Sequence, residues 1–162
     1  MPTSNEMKFN VQRLYVQETR FKIENPPEIF KQLSHAKPEQ KLELKVETKT
    51  LGEVNMHEVV LQLNLSSTIE GRTIYNAFVR QAGIFTLEGY IGDDLDNLLN
   101  AYCAELLYPY ARQVLSEQLV QGSFPNLVLM PINFTELHRQ RKAQQANHEK
   151  TSQVQRIDEA VH

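Results

Sequence analysis

The sequence predicts an α+β fold, in which a four-stranded antiparallel sheet is followed by helices packed on one side of it. Two patterns carry this prediction. Apolar and polar residues alternate through most of residues 9–85, as in strands with one buried face, and apolar residues recur at helical spacing from Leu95 onward. Turn-forming residues separate the alternating runs at short intervals, which favours antiparallel neighbours.

The first strand covers residues 9–23. Phe9 and Tyr15 share one face by strict alternation, whereas Leu14 and Val16 occupy the other. We therefore expect both faces to be covered in the middle of this strand.

The next three strands follow one another closely. Residues 42–50 alternate without exception, and a turn marked by Gly52 leads into a strand at residues 59–66. A second turn at Gly71 leads into a strand at residues 73–85. These short connections predict an antiparallel meander.

A proline-rich crossover separates the first two strands. Residues 24–38 contain Pro26, Pro27 and Pro38, which argue against a central strand or a regular helix. We expect a loop that carries the apolar pair Ile29 and Phe30.

The second half is predicted to be helical. Asp93 or Asp94 is placed to cap a helix containing Leu95, and Pro109 suits the first turn of a separate second helix. Gly122 is a natural stop for that second helix.

Asn133 is predicted to cap the last helix, which becomes strongly polar from His138 onward. Beyond about Ala146 the chain is rich in Gln, Lys, Glu and Ser. We expect a single domain at residues 1–145 and a flexible C-terminal tail at residues 146–162.

Composition restricts the class of protein. The 162 residues include 17 basic and 20 acidic side chains, a formal charge of −3, which argues against a dedicated nucleic-acid binder. The single cysteine, Cys103, excludes an internal disulfide framework and suits a reducing compartment. The start lacks signal-peptide features, and no apolar run approaches the ~18 residues of a membrane span. We expect a soluble cytoplasmic protein.

No motif for catalysis is recognisable. The five histidines lack metal-ligand spacing, and His57 and Glu58 point to opposite faces of a strand. The acidic group around Asp94 and Asp96 suits helix capping better than a cation loop, and the basic run at residues 138–142 is interpreted as a charged helix face. We expect no catalytic residue, metal or cofactor.

Apolar residues in connectors are more informative. Ile29–Phe30, residues 107–110 and residues 124–130 all lie in segments marked by proline. They either seal the ends of the core or form an apolar groove for an extended peptide, and the sequence leaves both interpretations open.

These segments occur in a known order. The chain resembles the SecB family of bacterial protein-export chaperones across about residues 8–140. The matching segments are residues 9–16, 27–30, 58–61, 81–85, 107–112, 122–125 and 131–134.

This resemblance implies a homotetramer, built as a dimer of dimers, that holds unfolded preproteins in an export-competent state without ATP. It implies no nucleic-acid partner and no direct insertion into a membrane. Carried over position by position, the client-binding groove comprises Phe30, Leu42, Leu44, Tyr108, Phe124, Leu127, Leu129, Phe134 and Leu137.

The family passes its clients to the export motor SecA, whose basic, zinc-bearing tail docks on an acidic face of the sheet. Glu18 keeps one acidic position of that face here. Lys22 stands where the family usually has a carboxylate, Phe78 replaces another acidic residue, and Asn76 replaces an apolar contact. Like charges disfavour this docking.

Three functions therefore stay open. The first is export through SecA, and the second is protection of a specific client such as an antitoxin, without SecA docking. The third is a structural or regulatory oligomer whose connector aromatics are all internal core.

Overall fold

The computed structural model describes residues 6–52, 54–126 and 129–161, and it confirms the predicted α+β fold. Four strands form one sheet: β1 (Lys8–Ile23), β2 (Glu39–Thr50), β3 (Met56–Ile69) and β4 (Arg72–Glu88). The described helices are α1 (Glu28–Leu33), α2 (Gly92–Asn97), α3 (Cys103–Gln121) and α4 (Phe134–Val161), with a π-helical turn, Leu98–Tyr102, between α2 and α3.

The strand order is β1-β4-β3-β2, and every neighbouring pair is antiparallel. The predicted meander of β2, β3 and β4 is confirmed. Because the chain crosses from β1 to the far side of the sheet before β2 begins, β1 and β2 become the two edges.

The core lies between the sheet and α3. One face of β3 and β4 is fully buried, with Leu61, Leu63 and Val79 at 0% exposure. Leu107 and Leu115 of α3 are likewise fully buried. Burial of each such side chain stabilises the fold by about 1.5–3 kcal/mol. Because the buried side chains of α3 pack on those of β3 and β4, this helix holds the sheet in place.

The predicted assignment of side chains to the two faces of β1 is wrong. Pairing with β4 shifts between Val11 and Arg13 and again between Val16 and Glu18, as at β-bulges. Each extra residue reverses the alternation, so Leu14 packs towards the core whereas Tyr15 bonds to Glu58 on the opposite face. Val16 is 45% exposed, because this edge strand has a neighbour on one side only.

The crossover is also more regular than predicted, because α1 occupies residues 28–33. Its flanking prolines do not interrupt it: Pro27 is the residue just before the first turn, and Pro38 lies beyond the end. A proline outside the helix removes none of its hydrogen bonds. The helix buries Ile29 and leaves Phe30 at the surface.

Two predicted helix boundaries are wrong. The helical path is continuous from Gly92 to Gln121, so Pro109 lies inside α3. Pro109 is exposed, and water can therefore serve the carbonyl that loses its partner. Asp93 and Asp94 lie in the first turn of α2, where no side chain caps the helix.

The end of α3 and the start of α4 agree with prediction. Gly122 ends α3, and Asn133 Oδ1 accepts a hydrogen bond from the Glu136 N–H at 3.1 Å, capping α4. Helix α4 runs across the expected boundary at Ala146, and the flexible tail stays a prediction. None of the described helices combines the length and apolar composition needed to cross a bilayer.

Candidate functional site

An apolar pocket opens at the end of the sheet nearest the crossover. Its aromatic wall consists of Phe30, Tyr75 and Phe124, which we name the aromatic pocket, and its volume is about 530 Å³. The rings of Phe30 and Phe124 are stacked at 5.8 Å, and Tyr75 lies 4.5 Å from Phe124. Such a pocket suits an aromatic or branched apolar side chain.

Local backbone structure places Phe124 in this pocket. At the end of α3, Ser123 adopts a left-handed conformation with φ of 65°, and its N–H donates to Val120 O at 3.1 Å. The Phe124 N–H donates to Leu119 O at 2.9 Å, which completes a Schellman motif. Glycine at position 122 gives Phe21 room, because a Cβ there would lie 2.7 Å from the Phe21 ring and would force that ring to shift.

A second pocket, of about 370 Å³, lies between β2, α2 and α4. We name it the helix pocket and define it by Val46, Phe134, Leu137, His138 and Arg141. Unlike the aromatic pocket, it combines an apolar floor with charged groups on its rim.

The edge of β2 joins the two pockets. The Leu51 N–H donates to Met56 O at 2.9 Å, which makes residues 51 and 56 a hydrogen-bonded pair of the ladder. Such pairs alternate, so the N–H and C=O groups of Leu42, Leu44 and Val46 point away from β3. The same three side chains pack towards the helices.

The described groove candidates divide between these features. Phe30 and Phe124 line the aromatic pocket, and Phe134 and Leu137 line the helix pocket. Phe30 is 37% exposed, whereas Phe134 is 2% exposed and already packed.

The remaining candidates are partly or wholly covered. Leu42 and Leu44 lie on β2 between the pockets, and Leu129 packs against the core. Tyr108 is buried; its ring lies 5.7 Å from Phe134, and its hydroxyl donates to Met130 O at 2.8 Å. Leu127 lies outside the described residues, and the role of the whole set stays a prediction.

A cluster of polar groups holds α4 beside the pocket. Asp96 accepts hydrogen bonds from His138 Nε2 at 2.9 Å, Lys142 Nζ at 2.7 Å and Asn100 Nδ2 at 3.0 Å. Burial alone would raise the pKa of Asp96, but the bonds from Lys142 and His138 outweigh burial and hold that pKa below its ordinary value.

The basic run at residues 138–142 does lie on a helix, α4, but part of its charge points inward. His138 and Lys142 turn inward to Asp96, and the Arg141 guanidinium donates to Leu44 O at 2.8 Å. Arg139 and Gln140 are exposed, and both bond to Glu136 of their own helix. The spacing of residues 138, 141 and 142 on one helix face was the available signal.

The proposed docking residues are brought together on the face of the sheet opposite the helices. Lys22 pairs with Asn76 across the β1–β4 ladder, Arg20 with Phe78, and Glu18 with Arg80. This face is therefore a contiguous surface, and its role in docking stays a prediction.

Sequence reasoning missed Arg20 and Arg80. The Arg20 guanidinium lies 4.0 Å above the centre of the Phe78 ring, which is only 8% exposed. Arg80 bonds to Glu47 at 2.8 Å. Hydrogen bonds from Arg80 and from Lys45 lower the pKa of Glu47 to about 2.

Cys103 is buried, as expected, and burial raises the pKa of its thiol to about 12. The thiol therefore stays protonated at neutral pH. Within the described ranges, no three His, Cys, Asp or Glu side chains gather as metal ligands would.

The sequence of this chain is similar to that of a known protein family. A family model described as preprotein translocase subunit SecB matches residues 2–145. The protein-export protein SecB of Nitrosococcus oceani is 39% identical over 139 residues, which are 86% of this chain and 84% of that protein. The SecB of Alcanivorax borkumensis is 38% identical over 147 residues, 90% of this chain and 92% of that protein.

A solved structure is similar in fold. It is a SecB-like chaperone of Mycobacterium tuberculosis in complex with a peptide from an antitoxin. The TM-score is 0.64 at 14% identity, and the match covers 76% of this chain and 90% of that one.

Replacing Asp96 with Asn should loosen α4. Because the pKa of Asp96 is lowered in the folded state, its contribution to stability is present above the ordinary aspartate pKa of 3.8 and is lost as the pH falls through the lower folded value. At neutral pH, Asp96→Asn should weaken α4 docking by about 0.5–1 kcal/mol, which hydrogen exchange of the first turns of α4 will measure.

Asp94→Asn is the matched control, since the Asp94 side chain makes no ion pair with any described residue. Equal exchange of α4 amides in the two variants would show that the Asp96 cluster does not hold the helix.

Proposed function

The chain belongs to the SecB family, and from that premise we propose that it is an ATP-independent holdase that keeps unfolded preproteins competent for export. The observation that carries this proposal is the pair of pockets joined by the unpaired edge of β2. A holdase withdraws the unfolded state from aggregation by mass action, which requires binding and no catalysis.

The groove has the length for an extended segment. Gln40 lines the aromatic pocket and Val46 lines the helix pocket, and the six residue steps of β2 from Gln40 to Val46 span about 20 Å. A client strand along β2 would find N–H and C=O groups that β3 does not pair at every second residue, although it would have to displace Arg141 from the Leu44 carbonyl. Backbone recognition of this kind is independent of client sequence, as a general chaperone needs.

We also propose the assembly that the family implies, a homotetramer built as a dimer of dimers. Two apolar surfaces support it. Edge strand β1 exposes Val11 and Val16, and the outer side of the π turn and α3 exposes Tyr102, Tyr110 and Val120. Two different two-fold interfaces produce a dimer of dimers.

We propose a location in the bacterial cytoplasm, because precursors must be held before they cross the membrane. The proposed recipient of these clients is SecA, which would dock on the open sheet face.

A second candidate function has its own support. Lys22 and Phe78 depart from the acidic pattern that a basic SecA tail requires. Arg20, which lies above Phe78, pairs at 3.0 Å with Glu18, the one acidic position that is kept. A chaperone of one specific client, such as an antitoxin, would not need SecA. The solved relative with an antitoxin peptide shares this fold.

Phe30→Ser should impair holdase activity without unfolding the protein, because Phe30 is 37% exposed. Loss of one apolar anchor, about 1.5–3 kcal/mol when fully buried by a client, should raise the ratio of chaperone to client needed to suppress aggregation roughly tenfold. Light scattering of a denatured client during dilution will measure this ratio.

Ile91→Ser is the control, since Ile91 is 82% exposed and lines neither pocket. If the wild-type protein does not slow aggregation at stoichiometric ratio, the chaperone proposal fails and a structural or regulatory oligomer becomes the better interpretation.

Native mass spectrometry should give four times the chain mass of 18.7 kDa. Tyr110→Asp places a charge in one of the two proposed interfaces and should leave a dimer as the main species, because burying an unpaired carboxylate is costly. A monomeric wild-type protein would contradict the proposed assembly.

Lys22→Glu should strengthen binding of a SecA tail peptide several-fold, because it restores a carboxylate opposite Asn76. Lys49→Glu makes the same charge change on the same face of the sheet, but on β2, and should have little effect. Isothermal titration calorimetry will compare the variants. Low-micromolar binding by the wild-type protein, unchanged in Lys22→Glu, would count against the antitoxin-type alternative.

A further inference from the structure

One side of the aromatic pocket is polar. Three residues that line this pocket, Gln40, Ser67 and Tyr75, are direct neighbours across β2, β3 and β4. Each lies two positions along its strand from an apolar side chain that packs in or against the core, so all three lie on the face of the sheet that the helices cover. A row of one amide and two hydroxyl groups therefore borders the same pocket as the rings of Phe30 and Phe124.

Ser67 is the member of this row that lacks an ordinary hydrogen bond. The Gln40 Nε2 group donates to the Tyr75 hydroxyl at 3.0 Å. Burial raises the pKa of that hydroxyl, and Gln40 and Ser67 lie near enough to oppose the rise in part. Even so, no hydrogen bond of ordinary distance and angle joins Ser67 Oγ to Tyr75 or to any other described residue. Ser67 is only 1% exposed, so bulk water does not reach this oxygen.

A buried hydroxyl without a partner is costly, and native proteins keep few of them. A ligand that bonds to Ser67 Oγ would recover this cost when it enters the pocket. The aromatic wall favours a ring, which packs against Phe124 in an offset or edge-on arrangement. A phenol combines both properties, because it offers a ring to the wall and a hydroxyl to Ser67.

We propose that Ser67 makes the aromatic pocket selective for tyrosine over phenylalanine in an extended client segment. This inference rests on the proposed holdase function and names the preferred anchor of the client. A purely apolar pocket would show the opposite order, because a phenol hydroxyl buried without a partner costs free energy. Phenylalanine fills the same wall but leaves Ser67 without a hydrogen bond.

The hydroxyl pair needs no particular donor. Both the serine and the phenol can donate and accept a hydrogen bond, so the pair forms with either group as the donor. Neither group is charged, and the preference therefore depends on a neutral hydrogen bond rather than on the charge of the client.

The test uses short labelled peptides of alternating Leu and Thr with a central Tyr or Phe, measured by fluorescence anisotropy with the full-length protein. The Tyr peptide should bind about fivefold more tightly than the Phe peptide, which is the effect of one net hydrogen bond. Because the two peptides differ by a neutral group, the ratio of their affinities should not change as salt is added.

Ser67→Ala should reverse the order of the two peptides, because the phenol hydroxyl then loses its partner. The same variant should resist urea at least as well as the wild-type protein, since it removes a buried hydroxyl that lacks a hydrogen bond. A merely structural serine would instead lose stability and leave the ratio unchanged.

Two further variants complete the comparison. Ser67→Cys is similar in size and should keep only a small part of the ratio, because a thiol is a weak hydrogen-bonding group. Ser66→Ala is the matched control on the same strand. Ser66 points to the opposite face of the sheet, so this variant should leave the ratio unchanged.

The outcomes distinguish the role of Ser67 from the proposed function. Equal binding of the two peptides to the wild-type protein, tighter binding of the Phe peptide, or a Tyr preference that survives in Ser67→Ala overturns the role of Ser67 and leaves the holdase proposal intact. If neither peptide binds although aggregation is suppressed, the pocket is not an anchoring site and only the tyrosine preference fails. If neither peptide binds and aggregation is not suppressed, both proposals fail.

Discussion

An open antiparallel sheet has two edges whose backbone groups lack partners, and this constraint organises the molecule. The crossover after β1 makes β1 and β2 the edges. Bulges twist β1 out of regular register, and α4 approaches β2 through Arg141 and Leu44. Both are known ways to prevent unwanted strand pairing. The contact with Arg141 covers part of the edge of β2, and breaking that contact would leave the edge free to pair with a client strand.

Charge acts in this protein through its placement rather than its sum. The formal charge of −3 belongs to the whole chain and does not determine whether a given surface is positive or negative. Asp96 uses its charge to fasten α4 to α2, and Glu47 is held by Arg80 on the opposite face of the sheet. Arg20 lies above Phe78 but pairs with Glu18 at 3.0 Å, whereas Arg141 bonds to the Leu44 carbonyl and forms no ion pair with any described residue. The two candidate surfaces therefore differ in how their positive groups are paired.

The sequence predicts the fold class and the meander of β2, β3 and β4 more reliably than local detail, for physical reasons. The alternation in β2 survives because its register with β3 is regular, whereas in β1 two bulges reverse it and no residue type marks them. Pro109 looks like a helix start, but burial of Leu107 and Leu115 carries α3 through it. Tertiary packing overrides a local propensity in such cases. For the site, resemblance supplied the aromatic residues, but the contacts of Asp96 and Arg141 depend on α4 lying beside β2, a long-range arrangement.

Weak binding follows from the dimensions of the groove and suits a chaperone without ATP. If a single segment places one apolar side chain in each of the two pockets, it gains two anchors of about 1.5–3 kcal/mol each, against the cost of ordering the client. Affinity of one segment should therefore lie nearer millimolar than nanomolar. In the proposed tetramer, one unfolded client reaches several grooves, and each later contact is intramolecular, which raises total affinity by orders of magnitude. Because every single contact still opens quickly, a motor that pulls on one end of the client can remove it one segment at a time, and no nucleotide is needed for release.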